Sequence, residues 1–159
     1  MPIKIVWSES LDGAFRALKE ALCKEPVLYL PDVQQPFILQ TDASDSGIGA
    51  VLMQQVDGVK KPVMFWSRKL KPAEQKYATI ERECLAIVEA VRKFKNYLYG
   101  ARFVLETDHQ PLSFLRSYSL NCKNGRLTRW SLFLQDYNFH INYIPGKENH
   151  FADYLSRET

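Results

Sequence analysis

The sequence lacks long apolar runs, closely spaced cysteines and a strong excess of either charge. None of its 159 residues lies in an apolar run near the roughly 18 residues that a membrane-spanning helix needs. The N-terminus also lacks the apolar core of a secretion signal. These absences argue against a membrane or secreted protein, and we expect an intracellular one.

The cysteines argue against disulfide-linked and zinc-binding proteins, and the net charge is nearly balanced. Cys23, Cys84 and Cys122 lie far apart, and none belongs to a Cys-x-x-Cys or Cys/His pattern. We therefore expect free thiols in a reducing compartment, not a disulfide framework or a zinc site. The 21 Lys and Arg residues against 18 Asp and Glu give a formal charge of +3. This balance is compatible with a nucleic-acid partner but does not argue for one.

What the sequence does contain is the pattern of one α/β domain behind a short leading segment. Apolar residues recur at helical spacing over 8–22, and prolines then interrupt 25–35. We place a boundary there and predict a helix and linker over 1–35 and one folded domain over 36–159.

Five strands and several helices are predicted within that domain. A helix of about six turns follows from apolar residues at steps of three and four between Tyr77 and Leu98. Shorter helices are predicted over 109–115, 126–135 and 148–157, and Asp57-Gly58 predicts a hairpin turn. This order favours a mixed sheet covered by helices. The predicted strands are Phe37–Asp42, Gly47–Gln55, Pro62–Ser67, Arg102–Asp108 and Asn138–Ile144.

Acidic residues occupy informative places in this scheme. Asp42 and Asp108 each end an apolar strand, where ligands gather in α/β sheets. Glu83 lies between Ile80 and Ile87 on the long helix and points toward the buried side. A buried carboxylate is costly unless a cation or hydrogen bonds compensate it. Taken alone, most of these Asp residues are more typical of a turn or a helix cap than of a functional site.

Convergence of such acids would create a metal site. Carboxylate oxygens suit Mg²⁺ or Mn²⁺ better than zinc. Two such ions about 3.5–4 Å apart can activate a water molecule and stabilise the leaving oxygen of a phosphodiester.

An ordered series of motifs resembles the ribonuclease H domain of gypsy-type LTR retrotransposon reverse transcriptases over roughly residues 25–157. Each motif alone is weak, but the ordered set is highly specific. The segment around Trp7, Ala14 and Leu18 is similar to the connection that follows the polymerase part. The motifs are TDAS with GIGAVL at 41–52, SRKL at 67–70, ECLAIV at 83–88, TDH at 107–109, GRLxRW at 125–130, PGKEN at 145–149 and ADxLSR at 152–157.

The resemblance implies a ribonuclease H-like fold, with a mixed five-stranded sheet and helices on both faces. It also implies hydrolysis of the RNA strand of RNA–DNA hybrids with two Mg²⁺ or Mn²⁺ ions. The implied catalytic residues and metal ligands are Asp42, Glu83, Asp108 and Asp153. Glu81 and Glu89 are rivals to Glu83, but the glutamate of the family is the one that opens ECLAIV.

Other residues are secondary candidates. Many ribonucleases H have a mobile histidine about ten residues before the last aspartate, where this sequence has Tyr143, which is equally typical of a buried strand aromatic. His109 adjoins Asp108 and is a second candidate near the metals. The segment 117–124 holds one lysine, so we expect no inserted basic helix. Candidate phosphate contacts, which ordinary surface charge explains equally well, are Arg116, Lys123, Arg126 and Arg129.

The expected partners are an RNA–DNA hybrid and the polymerase part of the same reverse transcriptase, with a dimer as a further option and no membrane. The expected location is a cytoplasmic retroelement particle, or the nucleus for a host-adopted copy. A non-catalytic structural or dimerisation module of a reverse transcriptase stays the alternative, although all four acids are present. A DNA-cutting transposase or integrase is disfavoured because its glutamate usually comes late in the chain.

Overall fold

The structure, a computed structural model, describes residues 28–109 and 124–148 of the chain. It contains the five predicted strands: β1 (Phe37–Ala43), β2 (Gly47–Val56), β3 (Val59–Lys69), β4 (Arg102–Thr107) and β5 (Asn138–Tyr143). Its helices are α1 (Pro72–Gln75), α2 (Thr79–Lys93), α3 (Lys95–Leu98) and α4 (Gly125–Leu134), followed by a 3₁₀ turn, Gly146–Glu148. The helix predicted over 8–22 and the helices predicted over 109–115 and 148–157 fall wholly or mostly outside these ranges. The domain boundary placed within 25–35 stays a prediction.

The strands form one mixed sheet in the order β3-β2-β1-β4-β5. β1 pairs antiparallel with β2, and β2 with β3, whereas β4 is parallel to both β1 and β5. The C-terminal ends of β1 and β4 therefore lie at the same edge of the sheet. The predicted mixed five-stranded sheet is confirmed.

The core fills the space between one sheet face and the helices α2 and α4. Leu39, Leu52 and Leu105 from the strands pack with Ile87 of α2 and Leu134 of α4. The opposite face of the sheet holds a smaller apolar cluster of Ile38, Val51 and Met53, with Phe65 against it. Of the helices predicted on both faces, the described ones α2 and α4 share one face.

The long helix is shorter than predicted. α2 ends at Lys93, and Phe94, at φ −96° and ψ 18°, separates it from α3. The Phe94 N–H still donates to Ala90 O, and Leu98 N–H donates to Phe94 O. Because the break is one residue long, Phe94 and Leu98 stay fully buried, and the apolar periodicity runs unbroken through it.

The β2–β3 hairpin is longer than predicted. Asp57 and Gly58 both have positive φ, 53° and 79°, as a two-residue hairpin turn requires. Pairing then continues up to that turn, and a register shift at Leu52/Met53 accommodates Pro62. Within the described ranges, no helix has the length and apolarity to cross a membrane.

Candidate active site

Two acids lie at the shared edge where β1 and β4 end. Asp42 is the next-to-last residue of β1 and is buried, with only 5% of its surface exposed. Its partner across the β1–β2 pairing is Gly49, which has no side chain to crowd it. Asp108 directly follows the last residue of β4 and is exposed. The parallel pairing of the two strands brings these acids to one edge.

The third acid comes from the first turns of α2. Glu83 is buried, with 6% of its surface exposed, which confirms that it faces the sheet. The Ala43 backbone N–H lies near this carboxylate and partly offsets the rise of its pKa. The carboxylate oxygen Oε2 is buried and has no hydrogen-bond partner among the described residues.

Burial and neighbouring charge both act on this glutamate. Burial, followed by the negative charges of Asp42 and Asp108, raises the pKa of Glu83 from 4.5 to about 8. The structure thus brings together three of the four acids expected from the sequence, while Asp153 lies outside the described residues.

The side chains at this edge are of the chemical type that binds a hard divalent cation. Carboxylate oxygens are the ligands such ions prefer, and the Glu83 Oε2 atom is a buried acceptor that a cation would satisfy. Within 28–109 and 124–148, no three His, Cys, Asp or Glu side chains are already arranged around one point as metal ligands.

The 3₁₀ turn after β5 closes against this edge. A Cβ atom built on Gly146 would lie 3.2 Å from Oδ2 of Asp108, closer than ordinary van der Waals contact. The Ile144 N–H donates to Thr107 O and fixes the start of this segment against the end of β4. Glycine at 146 therefore lets the backbone approach the Asp108 carboxylate.

Glu81, the rival glutamate, has a structural role. Its carboxylate accepts hydrogen bonds from the Ala78 backbone N–H, from Asn124 Nδ2 and from Arg126 Nη1, each at 2.9 Å. Hydrogen bonds from Asn124, Ala78 and Arg126 outweigh the effect of burial and lower the pKa of Glu81. Glu81 thus ties the start of α2 to the start of α4, while Glu83 faces the other acids.

A second buried polar group escaped prediction from the sequence. Glu106 of β4 is buried and binds Gln40 of β1 and Lys60 of β3. Glu106 stands out in the sequence as a charged residue within an apolar strand. Its partners, however, lie 66 and 46 residues away along the chain. No local motif joins these three residues.

Comparison with known proteins settles the family. A family model described as "RNase H-like domain found in reverse transcriptase" matches residues 32–137. The chain belongs to that family.

The curated relatives of this RNase H-like domain are retroelement polyproteins. The Pol polyprotein of transposon gypsy from Drosophila melanogaster is 46% identical over 159 residues, covering 99% of this chain and 15% of the relative. That of transposon 297 is 45% identical over 91% of this chain and 13% of its own length. The Tf2-3 polyprotein of Schizosaccharomyces pombe is 40% identical over 95% of this chain. The chain thus spans a small part of the relatives it matches.

Solved structures share the fold. The prototype foamy virus protease–reverse transcriptase has a TM-score of 0.67 at 18% identity, covering 90% of this chain and 19% of that one. RNase H1 from the archaeon Halobacterium salinarum has a TM-score of 0.56 at 16% identity, covering 76% and 92%. The predicted ribonuclease H-like fold is confirmed.

Two secondary candidates lie beside the acids of the RNase H-like domain. Tyr143, the last residue of β5, pairs with Thr107, and its buried hydroxyl has no hydrogen-bond partner in the described part of the chain. His109 is partly buried, and its backbone N–H donates to Thr107 Oγ1. Both flank the end of β4, so a role near the acids stays a prediction.

The candidate phosphate contacts divide into three groups. The Arg126 guanidinium lies 3.9 Å from the centre of the Tyr77 ring and pairs with Glu81, so its charge already has a partner within the protein. Arg129 is exposed on α4. Arg116 and Lys123 fall outside the described residues.

Proposed function

We propose that this domain is an endoribonuclease that hydrolyses the RNA strand of RNA–DNA hybrids during reverse transcription. The observation that carries the proposal is the Glu83 carboxylate, buried beside Asp42 and Asp108 with one oxygen unpartnered. Uncompensated, three neighbouring carboxylates are costly, and a divalent cation bound to a nucleic-acid phosphate is the natural compensation.

The proposed ligands are Asp42, Glu83 and Asp108, joined by Asp153 from the matching motif. These carboxylates would hold two Mg²⁺ or Mn²⁺ ions, which would supply an activated water and charge stabilisation for displacement at phosphorus. The products are a 5′-phosphate and a 3′-hydroxyl.

The protein's own contribution is to position the carboxylate ligands. The Ala43 N–H lies near the Glu83 carboxylate, and the parallel ends of β1 and β4 present Asp42 and Asp108 to the same phosphate. Recognition of the hybrid rests on groove shape and 2′-hydroxyl contacts, not on base sequence. The foamy viral protease–reverse transcriptase, with a TM-score of 0.62, has been solved both with an RNA/DNA hybrid and with double-stranded DNA, which is consistent with a nucleic-acid substrate.

The wider setting follows from the relatives. Because they are retroelement Pol polyproteins of which this chain spans 13–15%, we place the domain behind the polymerase part of a reverse transcriptase. Its proposed location is a cytoplasmic retroelement particle.

The test is cleavage of an end-labelled RNA–DNA hybrid in Mg²⁺ or Mn²⁺. Asp42→Asn removes a ligand charge and should lower the cleavage rate at least about 100-fold. Asp45→Asn is the matched control: Asp45 is a near neighbour, but its side chain is 95% exposed and pairs with Arg82, so cleavage should continue.

Two results would contradict the proposal. Cleavage that survives Asp42→Asn would show that the nuclease activity lies elsewhere. A wild-type domain that is inactive both alone and within the full reverse transcriptase would indicate a structural module.

A further inference from the structure

An ion pair between a buried glutamate and an exposed lysine lies behind the acid site. Glu106 has 4% of its surface exposed, and Lys60 Nζ donates to both of its carboxylate oxygens, at 2.8 and 2.9 Å. Gln40 Nε2 donates to Glu106 Oε2 at 2.7 Å. We call these three residues the Glu106 cluster.

The cluster lies next to the proposed metal ligands. Gln40 and Glu106 are register partners in the β1–β4 pairing. Each precedes an acid by two residues, Asp42 in one strand and Asp108 at the end of the other. Two residues of a strand span about 7 Å and share a sheet face. A net charge on the cluster is therefore felt at the acids.

Lys60 determines that net charge. It lies on the β2–β3 hairpin, two residues after the turn residue Gly58, and reaches Glu106 across the sheet. Its side chain is 38% exposed, against 5% for Glu106. As an ion pair the cluster is neutral, whereas loss of Lys60 leaves a negative charge and loss of Glu106 a positive one.

We propose that the Lys60–Glu106 pair sets the divalent-cation affinity of the acid site. Lys60 cancels the negative charge of Glu106, so that Asp42, Glu83 and Asp108 attract a cation less strongly than they would beside an unpaired Glu106 carboxylate. Lys60 and Glu106 are thus positioning residues that act through charge. This proposal rests on the proposed function, because it assumes that the acids bind divalent cations.

The test is Mn²⁺ binding to the metal-free 159-residue chain by calorimetry, without substrate, with melting temperatures to verify folding. Lys60→Met should tighten binding at least about threefold and Glu106→Gln should weaken it by a similar factor. The double variant should return to wild-type affinity. Glu106→Gln leaves no unpaired buried carboxylate, so it keeps the test valid even if Lys60→Met unfolds.

Lys93→Met is the matched control. It removes the same charge from the exposed end of α2, ten residues and about 15 Å along the helix from Glu83. At physiological salt this exceeds the screening length of about 8 Å, so the Mn²⁺ affinity should not move.

The outcomes separate the two proposals. Opposite shifts with Lys60→Met and Glu106→Gln support the charge role. If both variants weaken Mn²⁺ binding equally, or neither changes it, the charge proposal is overturned. In that case, loss of Mn²⁺ binding in Asp42→Asn would still support the proposed metal site. A wild-type chain that binds no Mn²⁺ overturns the charge proposal, whereas the proposed function is decided separately by the cleavage assay.

Discussion

Without a cation, burial and the charges of Asp42 and Asp108 favour the protonated form of Glu83 in the folded protein. Its pKa of about 8 in the folded state lies above the ordinary 4.5 of the unfolded chain. Between these values, the unfolded chain releases a proton that the folded chain keeps. Raising the pH through this window therefore favours unfolding.

Glu83→Gln should remove this loss of stability at higher pH. Glutamine does not ionise, so the free energy of unfolding of the variant should rise relative to wild type between pH 4.5 and pH 8. The expected gain is of the order of a few kcal/mol. Denaturant titrations at both pH values, with chelator present, measure it. If the free energy of unfolding changed with pH in the same way in both proteins, ionisation of Glu83 would not be the cause of the pH dependence.

The two glutamates of the first turns of α2 should separate activity from stability. Glu83→Gln should abolish cleavage of the hybrid, because it removes a proposed ligand charge. Glu81→Gln should retain most of the cleavage but lower the free energy of unfolding by about 1 kcal/mol, since its contacts tie helix ends together. Cleavage assays and thermal unfolding of both variants check this pair. The reverse pattern would mean that Glu81 is the ligand.

At the scale of elements, Asn124 controls how α4 begins. Its side-chain oxygen accepts hydrogen bonds from the Arg126 and Leu127 N–H groups, while its amide donates to Glu81. Asn124→Ala should cost about 1–2 kcal/mol of unfolding free energy. Asn124→Ser keeps a capping oxygen and loses only the bond to Glu81, so it should cost about half as much. Thermal unfolding compares them, and equal losses would argue against a capping role.

The elements could be predicted from local patterns, and their ends less well. Alternation and helical periodicity located all five strands and the helices α2 and α4. They extended the long helix through Phe94, because burial keeps its period across a one-residue break. They also began β3 too late, at Pro62 instead of Val59, since the lysines near the hairpin turn pair as strand residues without being apolar.

The site was predictable only in part. Strand ends and a helix face indicated Asp42, Asp108 and Glu83, which the structure brings together. The roles of these acids and of Asp153 came from motif resemblance and stay predictions. Glu106 was missed because Lys60 and Gln40 are distant in sequence, and Arg126 gave no local sign of its pairing with Glu81.

At the scale of the whole molecule, cation binding should stabilise the fold. A ligand that binds only the folded state adds about 2.7 kcal/mol at 100 times its Kd. Mg²⁺ or Mn²⁺ should therefore raise the melting temperature of the wild-type chain. The rise should be larger near pH 8 than at lower pH, where a proton competes for Glu83. Thermal unfolding with and without the ion measures the effect, and an equal rise in Asp42→Asn would contradict it.

The pairing of β1 with β4 also affects the order in which parts of the protein fold. β1, β2 and β3 follow one another through short turns and can associate early, whereas Gln40 and Glu106 meet across a separation of 66 residues. Closing so long a loop is entropically costly and slow compared with forming hairpins and helices. The acids at the ends of these strands therefore come together late in folding. Recovery of cleavage after refolding would report completion of the native sheet more faithfully than recovery of helical signal.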